Sequence, residues 1–303
     1  MKRVLVLMST YNGEKYLEEQ LNSIFQQKGV KVSVLVRDDG SSDSTLNILE
    51  KFKELGHLLD YYIEENVGAC SSFLRMLKKK DISTSNYDYY AFSDQDDIWL
   101  ENKLYIAVNR LETLNDGKPK LYYGSAIVVN NSLVPLSNLI IRDIKNKNDV
   151  LFRNRAQGST MVFNEELKKL IIKNEKNDKI IMHDWWINLI SEYTGTEIIK
   201  DKTPYLMYRQ HENNVIGVEV SNFSRLYHRI QVIFSKSSNE RLRMLVFFYE
   251  IFSEELSDTD DEFINRLINY QQNKKILFDK NIYMGIPFYQ KILTFIDLLF
   301  NKY

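Results

Sequence analysis

One pattern recurs four times from the start of this chain: a short apolar run, a polar turn, then apolar residues at helical spacing. Arg3 to Met8 runs into Ser9-Thr10-Tyr11-Asn12-Gly13 and on to Leu17, Leu21 and Ile24, with Glu14 where a helix dipole favours an anion. Val32 to Val36 runs into Arg37-Asp38-Asp39-Gly40-Ser41-Ser42-Asp43, then Leu46, Leu49 and Phe52. Tyr61 to Ile63 leads through Glu64-Glu65-Asn66-Val67-Gly68 to Phe73 and Leu77. Tyr89 to Phe92 leads through Ser93-Asp94-Gln95-Asp96-Asp97 to Leu104, Ala107, Leu111 and Leu114. Strand, turn, helix, strand specifies parallel βαβ units. Each turn then lies at the carboxyl end of its strand, the edge where open α/β sheets place ligands, so the four turns are expected to converge on one crevice.

The fourth turn makes the strongest chemical demand. Asp94, Asp96 and Asp97 raise one another's pKa unless positive charge sits between them. In extended backbone, side chains two apart share a side, so Asp94 and Asp96 can face one ligand while Asp97 points elsewhere or begins the turn. Such an all-oxygen pair suits Mg²⁺ or Mn²⁺, held through one or two carboxylates plus a substrate's phosphates. The competing reading is a solvated acidic turn with Asp96 or Asp97 as N-cap of the next helix.

Taken in order, STYNGEKYLEEQLNSIFQQ, VLVRDDGSSDST, ENVGACSSF and YAFSDQDDIWLENKL resemble the nucleotide-sugar-binding half of a family 2 glycosyltransferase. The later stretches QGSTMVFN, HDWW and YRQHENNV resemble the branch of that family containing bacterial rhamnosyltransferases. The resemblance covers roughly residues 1 to 217 and implies the GT-A fold, a Rossmann-like, mostly parallel central sheet flanked by helices. By the same resemblance Tyr11 packs on the base, Asp39 accepts the N3–H of uracil or thymine, Thr10 and Glu14 line the pocket, and Asn66 and Gly68 form a turn near the nucleotide. Asp94 meets the ribose or sugar, Asp96 holds the metal, and His211 completes the metal or diphosphate contact.

Asp184 matches the family's catalytic base, which takes the acceptor's proton; His183 stands where a Glu is common, able to orient Asp184, touch the acceptor or cap the helix. A helix N-cap is the alternative for Asp184 itself. Trp185 and Trp186 are expected to form an apolar wall for the acceptor sugar, with at least one of them in the core. Arg209 is a phosphate partner on charge grounds, or the member of a surface salt bridge to Glu212 or Glu219. Arg75 reaches a phosphate or is solvated. Gln157 and Gly158 let backbone approach the donor sugar or acceptor, or serve only a tight turn.

With 303 residues the chain has room for one such domain, residues 1–217, and a helical C-terminal region, 218–303. The boundary is placed near Gly217 to Asn222, before helical patterns at Leu226–Phe234, Leu242–Leu256, Phe263–Phe278 and Phe288–Phe300, with an acidic break at Ser257–Glu262. That region mixes aromatics with Arg225, Arg229, Arg241, Arg243, Lys274, Lys275 and Lys291, a face that suits an anionic membrane, a second subunit in a homodimer, or the catalytic domain. Asn138 to Arg155, with Arg142, Lys145, Lys147, Arg153 and Arg155, reads as a mobile basic loop near the acceptor, meeting a lipid diphosphate or simply solvated.

A net charge of −1 removes any general argument for nucleic acid. The single Cys70 excludes an internal disulfide and suits a reducing compartment. No signal-peptide pattern or apolar span of about 20 residues is expected, which places the protein in the cytoplasm or at the inner face of the plasma membrane. The expected function is an inverting, non-processive, metal-dependent transferase carrying L-rhamnose from dTDP-rhamnose to a lipid-linked saccharide in surface polysaccharide synthesis. A UDP-hexose donor is the nearest alternative, and a sugar nucleotidyltransferase the alternative of another class.

Overall fold

The computed structural model describes residues 1–57, 59–79, 87–141, 146–174, 178–211 and 239–303. Strands β1 (Arg3–Thr10), β2 (Lys31–Asp38), β3 (Leu59–Ile63) and β4 (Tyr89–Ser93) alternate with helices α1 (Leu17–Phe25), α2 (Thr45–Glu54) and α3 (Gly68–Lys78), and α4 (Lys103–Leu111) follows. The sequence pattern anticipated all four units. Two-residue β5 (Ile98–Trp99) lies between β4 and α4; β6 (Lys120–Val129), β7 (Pro135–Leu139), β8 (Val162–Asn164), α5 (Glu165–Ile171), α6 (His183–Tyr193) and β9 (Glu197–Arg209) complete the sheet and its cover.

The sheet runs β3-β2-β1-β4-β8-β6-β9-β5, with β7 paired to β6. The quartet β3-β2-β1-β4 is parallel, β8 is antiparallel to both its neighbours, and β6 with β9 is parallel again. The sheet is therefore mixed, its parallel half coming from the βα repeats.

Alternation along β1 explains why both faces are covered. Val4, Val6 and Met8 point into one core with Leu17, Leu21, Leu49, Phe52 and Leu104 from α1, α2 and α4. Leu5 and Leu7 point the other way, toward Phe73 and Leu77 of α3 and Ile187 and Ile190 of α6. The register sets Thr10 opposite Asp38, Asp38 opposite Ile63 and Met8 opposite Ser93. The carboxyl ends of β1 to β4 thus align along one edge.

The C-terminal region is helical where it is described: α7 (Glu240–Phe252), α8 (Asp258–Ile268), a 3-10 turn Lys274–Phe278, short α9 (Lys280–Tyr283) and α10 (Phe288–Leu299). The expected boundary Gly217–Asn222 and helix Leu226–Phe234, with Arg225 and Arg229, lie outside the described residues. The acidic break proves to be a helix start: Ser257 Oγ accepts from the Asp260 amide, and Asp258, Asp260 and Asp261 fall in the first turn of α8, where the dipole favours them. Of the three surfaces open to these helices, α7 takes the N-terminal sheet and its covering helices. Trp186 of α6 stacks on Phe247 at 5.5 Å between ring centres and also meets Phe248 and Phe252.

The expected basic loop is built differently too. Lys147–Leu151 is a 3-10 turn, and Arg153 and Arg155 grip the buried Asp149 at 2.6 and 2.7 Å instead of meeting solvent. Arg142 and Lys145 lie outside the described residues. Among the described residues, no helix is long and apolar enough to cross a membrane.

Candidate active site

Hydrogen bonds between side chains and backbone tie the four turns into one structure. Turns one and two are stitched where the Asn12 amide donates to Ser41 Oγ at 2.9 Å, the Ser42 amide to Asn12 Oδ1 at 2.9 Å, and the Gly13 amide to Thr45 Oγ1 at 2.8 Å. Turns one and four are clamped by Gln95, which accepts from the Tyr11 amide at 2.9 Å and donates to its carbonyl at 3.1 Å. Tyr11 itself is 50% exposed.

Asp39 joins turns two and three. Its Oδ2 accepts the Gly68 amide at 3.0 Å and the Val67 amide at 3.3 Å, and its other oxygen pairs with Arg37. Gly68 sits at φ +77°, where a side chain would strain the start of α3, and Asn66 Oδ1 accepts its amide at 3.1 Å. Arg37 is fully buried and also donates to Glu64, Ser72 and the Glu65 carbonyl. The sequence alone assigns no role to Arg37 or Gln95: Arg37 pairs with its near neighbour Asp39 but also with Glu64, 27 residues on, and Gln95 with Tyr11, 84 residues back, and no local pattern reveals those distant contacts.

The two residues expected at a metal, Asp96 and His211, meet. Asp96 Oδ2 and His211 Nε2 lie 2.8 Å apart although 115 positions separate them. Asp94, beside them, has its carboxyl pushed up to about 7 by burial and by the negative charges of Asp96 and Asp184. Asp97 is fully buried and raised as well, by burial and then by Asp94 and Asp96. Among the described residues, no group of three or more His, Cys, Asp or Glu is arranged as a complete metal cage. A paired carboxylate and imidazole backed by surplus negative charge nevertheless fits a hard divalent cation whose other positions go to water and phosphate oxygens.

Asp184 lies in the first turn of α6, with Met182 rather than either candidate at the N-cap. Its Oδ2 accepts the Gly158 amide at 3.2 Å and its Oδ1 the Trp185 amide at 2.7 Å. His183 is buried beside it, its ring 4.4 Å from Phe73 and 4.9 Å from Phe92 between centres, and its Nε2 has no hydrogen-bond partner among the described residues. Burial lowers its pKa against the opposing charge of Asp184, so the ring is neutral at pH 7. Gly158 is required by close approach: a Cβ there would stand 2.6 Å from His183 Nε2. Gln157 Oε1 is buried and lacks a hydrogen-bond partner among the described residues.

Several expected contacts are redirected. Arg209 is buried; its guanidinium bonds Glu19 Oε2 at 2.5 Å and the carbonyls of Asp96 at 2.8 Å and Asn131 at 2.6 Å, and its own amide holds Asp97 Oδ1 at 3.1 Å. It therefore fixes the acidic turn from behind instead of reaching into the crevice, while the alternative partners Glu212 and Glu219 lie outside the described residues. Thr10 is buried and donates to Asp38 at 2.7 Å. Glu14 accepts the Ser44 amide at the head of α2 at 2.9 Å, so its carboxylate locks turns one and two rather than lining a pocket. Trp185 donates to the Val150 carbonyl at 2.6 Å and Trp186 lies in the core, so neither presents an open wall to an acceptor. Arg75 is half-exposed and lies 3.8 Å from both Glu64 and Glu65, at the edge of a cavity of about 590 Å³ that also involves Tyr62, Lys79 and Asp178.

Comparison with known proteins bears on the family and the fold. The model for glycosyl transferase family 2 matches residues 5–134. The dTDP-rhamnosyl transferase RfbG of Shigella flexneri is 36% identical over 239 residues, covering 76% of this chain and 80% of that protein. WfgD of Escherichia coli, a UDP-Glc:alpha-D-GlcNAc-diphosphoundecaprenol beta-1,3-glucosyltransferase, is 29% identical over 43% of this chain and 49% of its own. Among solved structures, S. aureus TarS 1-349 in complex with UDP superposes with a TM-score of 0.58 at 17% identity over 96% of this chain and 77% of that one. The mannosyltransferase PcManGT from Pyrobaculum calidifontis, in complex with GDP-Man and Mn²⁺, does so at 0.51 and 14%, over 96% and 79%. At these identities the solved structures share the fold alone.

Proposed function

This chain belongs to glycosyltransferase family 2 and transfers a glycosyl group from a nucleotide sugar; on that premise we propose that it moves L-rhamnose from dTDP-L-rhamnose, one residue per encounter and with inversion, to a hydroxyl of a lipid-linked saccharide. Likeness to the Shigella dTDP-rhamnosyl transferase over most of both chains supports the donor. The observation that carries the reading is the 2.8 Å approach of Asp96 to His211 at the mouth of the four joined turns, with Asp94 and Asp184 alongside.

In this reading the exposed Tyr11 ring stacks on the pyrimidine. Asp39, pinned by two amides and Arg37, keeps acceptor capacity for the base N3–H. Asp94 binds the ribose or sugar. Asp96 and His211 would hold a Mg²⁺ or Mn²⁺ ion, which supplies charge neutralisation for the departing diphosphate. Asp184 takes the acceptor hydroxyl's proton as the new C–O bond forms on the face opposite the diphosphate. The anomeric C–O bond breaks in the same step and its electron pair leaves on the nucleoside diphosphate. Neutral His183 packs against the Gly158 loop and holds Asp184 in register.

The test is calorimetry with dTDP-rhamnose, UDP-glucose, UDP-galactose and UDP-N-acetylglucosamine in the presence of Mn²⁺. The tightest binding should be to dTDP-rhamnose, weakened about tenfold or more by Asp96→Asn or His211→Ala only when metal is present. Equal binding of all four donors refutes the donor assignment, and indifference to metal refutes the cation site. Product analysis separates the other enzyme class: free nucleoside diphosphate marks glycosyl transfer, pyrophosphate a nucleotidyltransferase.

A further inference from the structure

We propose that the face formed by the Lys274–Phe278 turn, α9 and α10 docks on the surface of an anionic lipid bilayer. Helices α7 and α8 bury their apolar sides in the main core, and this last segment adds Ile276, Leu277, Ile282 and Leu298 to it while leaving a second set of apolar side chains outside. Phe278 is 81% exposed and Phe288 77%, and Met284, Ile292, Leu299 and Phe300 are exposed as well. Phe288, Ile292, Phe295 and Leu299 recur at helical spacing and form one stripe along α10. Beside the stripe lies a groove of about 420 Å³ lined by Leu277, Phe278, Tyr283, Lys291, Ile292 and Phe295. Clustered aromatic exposure of this kind marks an interaction surface.

Charge selects the partner. Residues 271–303 carry Lys274, Lys275, Lys280, Lys291 and Lys302 against only two acids, Asp279 and Asp297. Both acids are neutralised by arginines from other elements, Asp279 by Arg266 at 2.9 Å and Asp297 by Arg241 at 3.2 Å. The face therefore presents protruding phenylalanines among lysines, the composition that inserts at a headgroup boundary and is drawn to anionic lipid.

The inner side of α10 is bound to the segment that leads to the site. Arg153 donates to the Gln290 carbonyl at 3.0 Å and to Thr294, and Arg155 donates to Gln290 Oε1 at 3.0 Å. Three residues after Arg155 comes Gly158, whose amide holds Asp184. A docked α10 would thus fix how the crevice faces the bilayer.

The full-length chain should be sedimented with phosphatidylcholine vesicles and with equimolar phosphatidylglycerol–phosphatidylcholine vesicles, at low and high salt. It should partition onto the anionic vesicles and lose most of that binding in high salt. The pairs Phe278→Ser with Phe288→Ser, and Lys275→Glu with Lys280→Glu, should each weaken partition about tenfold or more while melting temperature and nucleotide affinity stay unchanged. A wild-type chain that ignores anionic vesicles overturns the proposal, as does a phenylalanine pair that sediments like wild type. A wild-type dimer dissociated by the phenylalanine pair, with no vesicle binding by either, overturns it in favour of a second copy. Nucleotide binding is read separately, so failure here leaves the glycosyltransferase reading untouched.

Discussion

Gly158→Ala should impair sugar transfer without loosening the donor. The added Cβ would stand 2.6 Å from His183 Nε2 and 3.4 Å from the Asp184 Cβ. The imidazole has no easy retreat, because it is buried between Phe73 and Phe92 with ring centres 4.4 and 4.9 Å away. Reaching ordinary van der Waals contact requires a displacement of roughly 1 Å, shared between the ring and the Gly158 loop. Overpacking on that scale costs about 1–3 kcal/mol. At about 1.6 °C per kcal/mol for a chain of 303 residues, the melting temperature should fall by about 2–5 °C. The 3.2 Å bond from the Gly158 amide to Asp184 lies directly in the path of the shift. Since a displacement of about 1 Å at a reacting group can cost 100-fold, kcat should drop by about that factor. Kd for the nucleotide sugar, measured by calorimetry, should stay within about twofold because Tyr11, Asp39 and Gly68 are untouched. Adding His183→Ala should recover most of the lost stability, with a coupling of about 1 kcal/mol or more in a double-mutant cycle. Wild-type kcat and melting temperature for Gly158→Ala would refute the argument.

Two further perturbations test the frame around the site. Arg37→Ala removes the cation paired with buried Asp39 and should destabilise the fold by about 3–5 kcal/mol in urea unfolding, with weaker donor binding as turns two and three part; a loss under about 1 kcal/mol would contradict this role. Lys103 is buried with its Nζ 3.4 Å from the centre of the Trp99 ring, and burial pulls its pKa down to about 7, partly opposed by Asp97. Unfolded chains regain that proton as pH falls below the ordinary lysine value of 10.5, so stability should rise with pH between about 7 and 10.5. Lys103→Met should remove this slope and stabilise the protein by about 2–4 kcal/mol at pH 7, and an unchanged slope in pH-resolved urea unfolding would refute the assignment.

What the sequence made legible was whatever is written locally. The four βα units, their turns and the acidic cluster depend on period and turn chemistry within about ten residues, and each was found in place. The pairing of Asp96 with His211 became readable through family resemblance, since no spacing rule links positions 115 apart. The errors share one cause. Arg209 looks like a phosphate partner in a string, but an arginine can equally be held by carbonyls, and only packing decides which. The basic run at Arg153 and Arg155 looked solvated because Gln290 and Thr294, which receive those guanidinium groups, lie some 135 to 141 residues further on. Ser257–Glu262 looked like a break because acids were counted as charge rather than as the first turn of a capped helix.

The most direct measurement is single-turnover transfer by Asp184→Asn, with donor affinity determined on the same preparation. Replacing the carboxylate by an amide keeps the shape of the side chain and a carbonyl acceptor for the Gly158 amide, but removes the atom that takes the acceptor's proton. The variant should bind nucleotide sugar and metal like wild type and transfer sugar about 100- to 10,000-fold more slowly. Undiminished transfer with intact binding would mean that Asp184 is not the base and that the chemistry lies elsewhere in the crevice.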